Sequence, residues 1–336
     1  MGVDMTRTKP EQERARLSLT GRTAGTEKLF RFFLGVDRLN RKDALWGYIF
    51  SAPWLIGFLL LTIGPFIVSA FMSFYKWPGY GPIRWVGLHN YSWILTKDLL
   101  FRQSLNVTFT YVFSAVPIRI AMAFLVASLL ARSLAGVTVL RSMYYLPSVV
   151  TGVAVAFMWM YILEPQNGPV NVFLQAVTGM EKPIGWLASP RWVMPSFIIM
   201  STWTLGGAMI IILAGLKGVD RSLYEAAIID GARARHRLWR ITLPMVSPSL
   251  FYVFVMGFIG SFQVLTMPLV IFGSNYVDVG GPMNSGLFYS LYLYNRAFQQ
   301  GRMGYACALA WILFVIILAV TALNFLVLGR RVYYEE

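Results

Sequence analysis

An all-α polytopic membrane protein with six membrane-spanning helices is the fold this sequence predicts. Three observations predict it. The 336 residues are 57 % hydrophobic and only 13 % charged, with a mean hydropathy of +0.59; a soluble domain carries about 25 % charge. Six long runs contain at most one charged residue each. Lysine and arginine collect in alternate connections between those runs.

The elements follow in order. Residues 1–45 form a polar leader with ten Lys and Arg. It has no apolar h-region, so no cleavable signal peptide is expected. Its stretch LFRFFLGVDRL (29–39) has the amphipathic character of a surface-lying helix. The spans are read at 46–75, 104–131, 142–163, 193–216, 241–277 and 303–329. Each meets the roughly 20 residues needed to cross a hydrocarbon layer. Lipid offers no partner to a peptide group, so each must be helical. The six make one membrane domain, 46–330, followed by a short tail, 331–336.

Orientation follows from charge. Six crossings place both termini on one side. That side holds twenty Lys and Arg; the other holds eight, and Arg119 lies within the second span. The richer side is expected to be cytoplasmic. The net charge of +14 suits anionic lipid headgroups, and no nucleic-acid-binding motif accompanies it. Cys307 is the only cysteine, which excludes an internal disulfide. His89 and His236 fall on opposite sides and cannot share a site.

One cytoplasmic segment departs from the pattern. Residues 217–247 combine six Lys and Arg with a small apolar group. Ser222-Leu-Tyr-Glu225 has the form of a capping box, and Asp220 offers a second cap. Gly231 can leave a helix in the left-handed region. A second helix is expected from 232 to about 241, carrying Arg233, Arg235, Arg237 and Arg240, and Pro244 should end it. A loop that only fixes topology needs arginines; it needs neither a capped, broken helix nor the Ala226-Ala227 face.

Glu225-Ala226-Ala227, three residues, Gly231, nine residues, then Ile241-x-Leu243-Pro244 resembles the EAA motif of ATP-binding-cassette importer permeases. WVGLHNY (85–91), YYLPSVV (144–150), GSFQV (260–264), GGPMNS (280–285) and FQQGRMGYACALA (298–310) are similar to the sugar-type branch, nearest the maltose- and glycerol-phosphate-type permeases. The resemblance implies a type I importer fold in a bacterial inner membrane. It implies a second homologous permease subunit, two ATPase subunits and an extracytoplasmic substrate-binding protein as partners. The chain has no G-x-x-x-x-G-K-[ST] phosphate loop, so no cofactor is expected on it; ATP and magnesium would sit on the ATPases. Glu225 would pair with the ATPase or cap its own helix. Ala226 and Ala227 would form the close-contact face, Gly231 the corner, and Ile241, Leu243 and Pro244 the motif's end.

The solute path is sought among polar and aromatic groups at mid-span. Trp203 and Thr204 follow Ser201 in the fourth span, and Phe262 and Gln263 lie in the fifth. Aromatic faces stack on sugar C–H surfaces and amides bond hydroxyls; helix packing is the competing explanation for each. Arg119, two residues past Pro117, has two readings. It could attract an anionic solute, or it could pair with carbonyls freed by Pro117 or with a neighbouring subunit; the structural reading is preferred. A secondary transporter is the alternative function. It would call for a buried Asp, Glu or His, and no span contains one. A membrane enzyme would need a nucleophile with a base, or a metal set, at one depth, and none is visible.

Overall fold

The computed structural model describes residues 41–132, 136–273 and 279–329. Most of the leader, including 29–39, and the tail 331–336 lie outside the described residues. The chain divides into two compact units, one ending at Val68 and the other beginning at Ser69. The first carries most of α1 (Leu45–Met72), a helix of 28 residues with a mean hydropathy of 2.3. Trp54 and Phe58 stack along it at 5.4 Å, and a π turn follows at Leu59–Ile63.

In the second unit a two-residue antiparallel ladder, β1 (Tyr75–Lys76) with β2 (Arg84–Trp85), leads to α2 (His89–Thr96). The WVGLHNY segment shapes this turn. The Asn90 amide donates to the carbonyls of Ser73 (2.8 Å) and Tyr75 (3.1 Å), and the Tyr91 hydroxyl donates to Ser73 Oγ (2.8 Å). The second span, α3 (Leu99–Leu130), is one helix that absorbs Pro117. Ring contacts pair it in antiparallel order with the segment 258–262: Phe109 meets Phe262 and Phe113 meets Phe258.

The third and fourth spans depart from the straight helices expected at 142–163 and 193–216. The third is a pair, Val137–Ser148 and α5 (Gly152–Ile162), bent by 95°; α4 (Val137–Tyr145) is its first helical part. The bend falls at Leu146-Pro147-Ser148, where proline interrupts the helical ladder. The fourth is α7 (Pro190–Trp203) and α8 (Gly206–Gly218), bent by 50°. The two breaks touch. A Cβ on Gly206 would fall on the Tyr144 carbonyl oxygen and within 2.8 Å of Tyr145 Cα, so only glycine lets these backbones approach. Between the two spans, α6 (Pro169–Thr178) is pinned by the buried Asn171, which donates to the Pro165 and Ile184 carbonyls and accepts from Trp186 Nε1 at 3.0 Å.

By length and composition, the described residues hold four helices able to cross a membrane, or six if each bent pair is one span. The last span is α14 (Met303–Val327). The segment before it, between the spans read at 241–277 and 303–329, reads in the sequence as a connection. Instead α13 (Tyr289–Tyr294) is buried: Leu287, Phe288, Tyr289, Leu291 and Tyr292 are each at most 2 % exposed. The Tyr289 N–H donates to Thr108 Oγ1 (2.8 Å) and its hydroxyl to the Leu309 carbonyl (2.8 Å). Its alternating Phe, Tyr and Leu side chains give it enough apolar surface to re-enter the core.

Candidate functional site

At the arginine-rich end, α9 (Arg221–Ile229) leaves α8 through Val219 and Asp220. Asp220, not Ser222, is the N-cap: its Oδ1 accepts from the Ser222 N–H at 2.9 Å. The Ser222 N–H and hydroxyl hold the Asp220 carboxyl below the usual carboxylate range. Ser222 is already helical, so the Ser222–Glu225 capping box does not form, and the expectation that Glu225 caps its own helix is corrected. Glu225 lies a turn inside the helix with its side chain exposed. Gly231 has φ +73°. The Gly231 N–H donates to the Ile228 carbonyl (3.0 Å) and the Ala232 N–H to that of Ala227 (2.8 Å), the paired bonds of a glycine-terminated helix.

None of the nine residues of α9 is buried. Leu223 is 41 %, Ile228 57 % and Ile229 85 % exposed. An apolar, capped helix with so much bare surface inside the most arginine-rich loop calls for a protein partner. One tether holds it to the chain: Tyr224 Oη lies 3.0 Å from Thr242 Oγ1. A cavity of about 400 Å³ beneath it is lined by Ser128, Arg132, Leu216, Tyr224, Arg237 and Thr242, among others.

The second helix of the loop does not stop at Pro244. It begins as α10 (Ala234–Arg237), passes through a π turn at Leu238–Thr242 and continues as α11 (Leu243–Phe262), the fifth span. In the π turn the Leu243 N–H donates to the Leu238 carbonyl, five residues back. Pro244 sits just past this change of register, at the first turn of the next α segment, where its missing donor is tolerated. Ile241 and Leu243 are half-buried, so the end of the motif is the root of the span.

Three of the path candidates lie at helix breaks. Trp203 ends α7 and Thr204 is non-helical at φ −97°, ψ 29°. Trp203 is 46 % exposed and packs edge-on to Trp159 at 6.1 Å. Gln263 (φ −100°, ψ 10°) ends α11 before α12 (Thr266–Phe272) and is exposed. Non-helical backbone at membrane depth survives where protein covers it or water fills a cavity. Phe262 differs: it is 1 % exposed, against Phe109 at 5.3 Å, so in this conformation it is a packing residue with no face for a solute. Among the described residues no hydrogen bond or ring contact joins Trp203 or Thr204 to Gln263.

Arg119 lies on the inward stripe of α3, three residues after Val116 and four before Ala123, both 0 % exposed. Its Nη2 would be 3.2 Å from a Cβ on Gly257 of α11. Among the described residues it makes no hydrogen bond or ion pair, so the expected pairing with carbonyls near Pro117 does not occur. Helix α3 continues through that proline.

The far end holds a cluster that hydropathy did not reveal. Asp98 caps α3, its Oδ1 accepting from the Phe101 N–H at 3.1 Å. Its Oδ2 accepts from the hydroxyls of Tyr292 and Tyr305. Arg296 stands 4.0 Å from the same oxygen and donates from Nε to Tyr292 Oη at 2.8 Å. Burial raises the Asp98 pKa, but the hydrogen bonds from Tyr292, Tyr305 and Phe101 and the Arg296 charge outweigh it, leaving the carboxyl below its usual range. The sign in the sequence was an Asp immediately before a long apolar helix, an N-cap position.

The comparisons with known proteins agree with this architecture. Residues 101–333 match the model of the family described as "Binding-protein-dependent transport system inner membrane component". The chain is 40 % identical over 301 residues to the probable ABC transporter permease protein YesP of Bacillus subtilis (strain 168), covering 89 % of this chain and 96 % of that one. It is 35 % identical over 286 residues to the lactose transport system permease protein LacF of Rhizobium radiobacter, covering 83 % and 92 %. Among solved structures, a chain of a bacterial alginate ABC transporter in complex with its alginate pentasaccharide-bound periplasmic protein has the same fold. Its TM-score is 0.70 at 24 % identity, covering 84 % of this chain and 93 % of that one. This chain belongs to the binding-protein-dependent transport system inner membrane component family and is a permease subunit of an ABC importer.

Proposed function

We propose that the chain spans a bacterial cytoplasmic membrane six times, with both termini and the 217–247 loop in the cytoplasm. There, α9 docks into a cleft of an ATP-hydrolysing subunit. Residues 46–330 form the permease domain, paired with a second homologous permease. A separate extracytoplasmic protein delivers a carbohydrate-type solute, an oligosaccharide or related polyol derivative. ATP and magnesium belong to two ATPase partners, and this chain supplies the grip and the path. Trp203, Thr204 and Gln263, at the two breaks, are the path residues; Phe262 supports them by packing.

The observation that carries this reading is α9 itself: capped by Asp220, ended by Gly231, unburied along its length and displaying Ile228 and Ile229. Ala226 and Ala227 allow close approach, and Glu225 is free to meet a basic or donor group. Closure of two ATPases would move α9. The Tyr224–Thr242 contact and the unbroken passage from Ala234 into the fifth span would convert that movement into rigid-body rocking of the spans.

The test is Gly231→Asp in the assembled importer. Nothing lies within 4 Å of a Cβ at 231, and Asp tolerates the left-handed region better than most residues, so the chain should fold and reach the membrane. ATP-dependent uptake should fall at least tenfold, with the ATPase lost from the purified complex or no longer stimulated. Normal uptake in a normally expressed variant would count decisively against docking.

A further inference from the structure

We infer that Arg119 makes this permease selective for a solute bearing an oxyanion, a sugar acid or a phosphorylated polyol, which it engages at mid-membrane. The inference rests on the proposed carbohydrate-type path and names its chemical class.

Four observations carry it. First, Arg119 points into the protein. It shares the inward stripe of α3 with Val112, Ala115, Val116 and Ala123, each at most 2 % exposed, yet is itself only half-buried. Its side chain therefore reaches the edge of that packing and is not sealed within it. Second, no carboxylate among the described residues pairs with it. Residues 99–130, 137–162, 190–218, 243–272 and 303–327 contain no Asp or Glu, and the ion pair among the described residues, Arg296–Asp98, lies at the far end. A guanidinium held within apolar spans without a counter-charge favours an anion that arrives and leaves. Third, room is kept for it. A Cβ at Gly257 would stand 3.2 Å from its Nη2 and 3.2 Å from Val116 Cγ1, so glycine at 257 lets the guanidinium extend across α11. Fourth, its surroundings are those of the path. It lies within electrostatic reach of the Tyr111 hydroxyl, which also meets Ser201; Ser201 is two residues before the break at Trp203 and Thr204. The planar guanidinium fork suits a carboxylate or a phosphate, binding either with two parallel hydrogen bonds.

The experiment uses the complete importer, with its second permease, ATPases and binding protein, in proteoliposomes. Uptake is measured for matched pairs: uronic-acid di- and trisaccharides against their methyl esters, and glycerol 3-phosphate against glycerol. The two pairs distinguish the carboxylate from the phosphate source. In the parent protein the anion of at least one pair should be taken up faster than its neutral partner. Arg119→Gln should lower that anion-to-neutral ratio at least tenfold, Arg119→Lys should keep most of it, and Gly257→Val should lower it by displacing the guanidinium. An unchanged ratio in Arg119→Gln overturns the inference, and so does a fall in yield or thermal stability with the ratio intact, which would assign the arginine to a contact within the complex. Neutral members passing while every anion is refused also overturns it and leaves the carbohydrate reading standing. Failure of both members of every pair overturns the carbohydrate reading itself, and this inference with it.

Discussion

Replacing Asp98 with alanine should unfasten the far end of the second unit, and the structure sets the size of the effect. Asp98 accepts one bond from the Phe101 N–H as the cap of α3 and two from the hydroxyls of Tyr292 and Tyr305, beside the Arg296 charge. An N-cap contributes about 1 kcal/mol, and a hydrogen bond to a charged partner about 1.5–3 kcal/mol. Asp98 and Tyr292 are 7 % and 2 % exposed, so water cannot replace the lost partners fully. Together the loss comes to about 4–7 kcal/mol. At about 2 °C per kcal/mol for a chain of this size, the thermal midpoint should fall by about 8–14 °C. The assay is loss of the monodisperse peak in detergent on heating, followed by fluorescence-detected gel filtration. Tyr305→Phe provides the internal check. Alone it should cost about a third as much, and on the Asp98→Ala background almost nothing, because residues in one network are not additive. A midpoint within about 2 °C of the parent, or full additivity with Tyr305→Phe, would refute the reasoning.

Two further outcomes are expected. The Asp98 carboxyl is depressed below 3.8 in the folded chain, so its contribution is complete above the unfolded value and is lost as pH falls through the folded one. The gap in thermal midpoint between the parent and Asp98→Asn should stay constant from about pH 8 to pH 5 and close only below about pH 4; closure near neutrality would contradict the sign. Gly206→Ala drives a Cβ into the backbone of Tyr144 and Tyr145, whereas Gly207→Ala meets nothing within 4 Å. Overpacking against an immovable backbone costs about 1–3 kcal/mol, so the first variant should lose yield and thermal stability and the second should keep both. Equal behaviour of the pair would remove the contact between the two breaks.

Much of this was legible because the strongest signals are local. Charge-free runs located the spans to within a few residues, and Gly231 located the corner, since a left-handed C-terminal residue is a property of a few neighbouring peptides. Of the two caps the sequence offered, the structure uses Asp220. Asp220 and Ser222 are both good caps, and the choice between them turns on where Val219 is buried, which a window of a few residues does not contain. Hydropathy could not see the bends at Pro147 and Thr204. A broken helix and a straight one carry the same apolar residues, and the difference lies in where their backbones touch. The segment 279–302 misled because Asn295, Arg296, Gln299 and Gln300 read as a loop: Asn295 and Gln300 bond within the segment, while Gln299 donates to the Gly273 carbonyl and Arg296 stands beside Asp98, far away in sequence.

The stretches that carried the family resemblance take on a physical division when placed in the fold. WVGLHNY and FQQGRMGYACALA meet at the far end: Asn90 holds the Ser73–Tyr75 turn, Gly304 lies so close to the Tyr75 carbonyl that a side chain would collide with it, and Tyr305 reaches Asp98. YYLPSVV and GSFQV are two helix breaks, and Thr266, just past the second, packs its methyl against Gly152 at the start of α5. The 225–244 motif stands apart, because its first half makes almost no contact with its own chain and its second half is continuous with a span. Residues that close tight internal contacts are fixed by the fold. An exposed Ile228–Ile229 pair on a capped helix is not, since exposure of apolar surface opposes solubility and contributes nothing to folding. Its presence asks for a surface outside the chain, which the docking proposed above would supply and a topology signal would not.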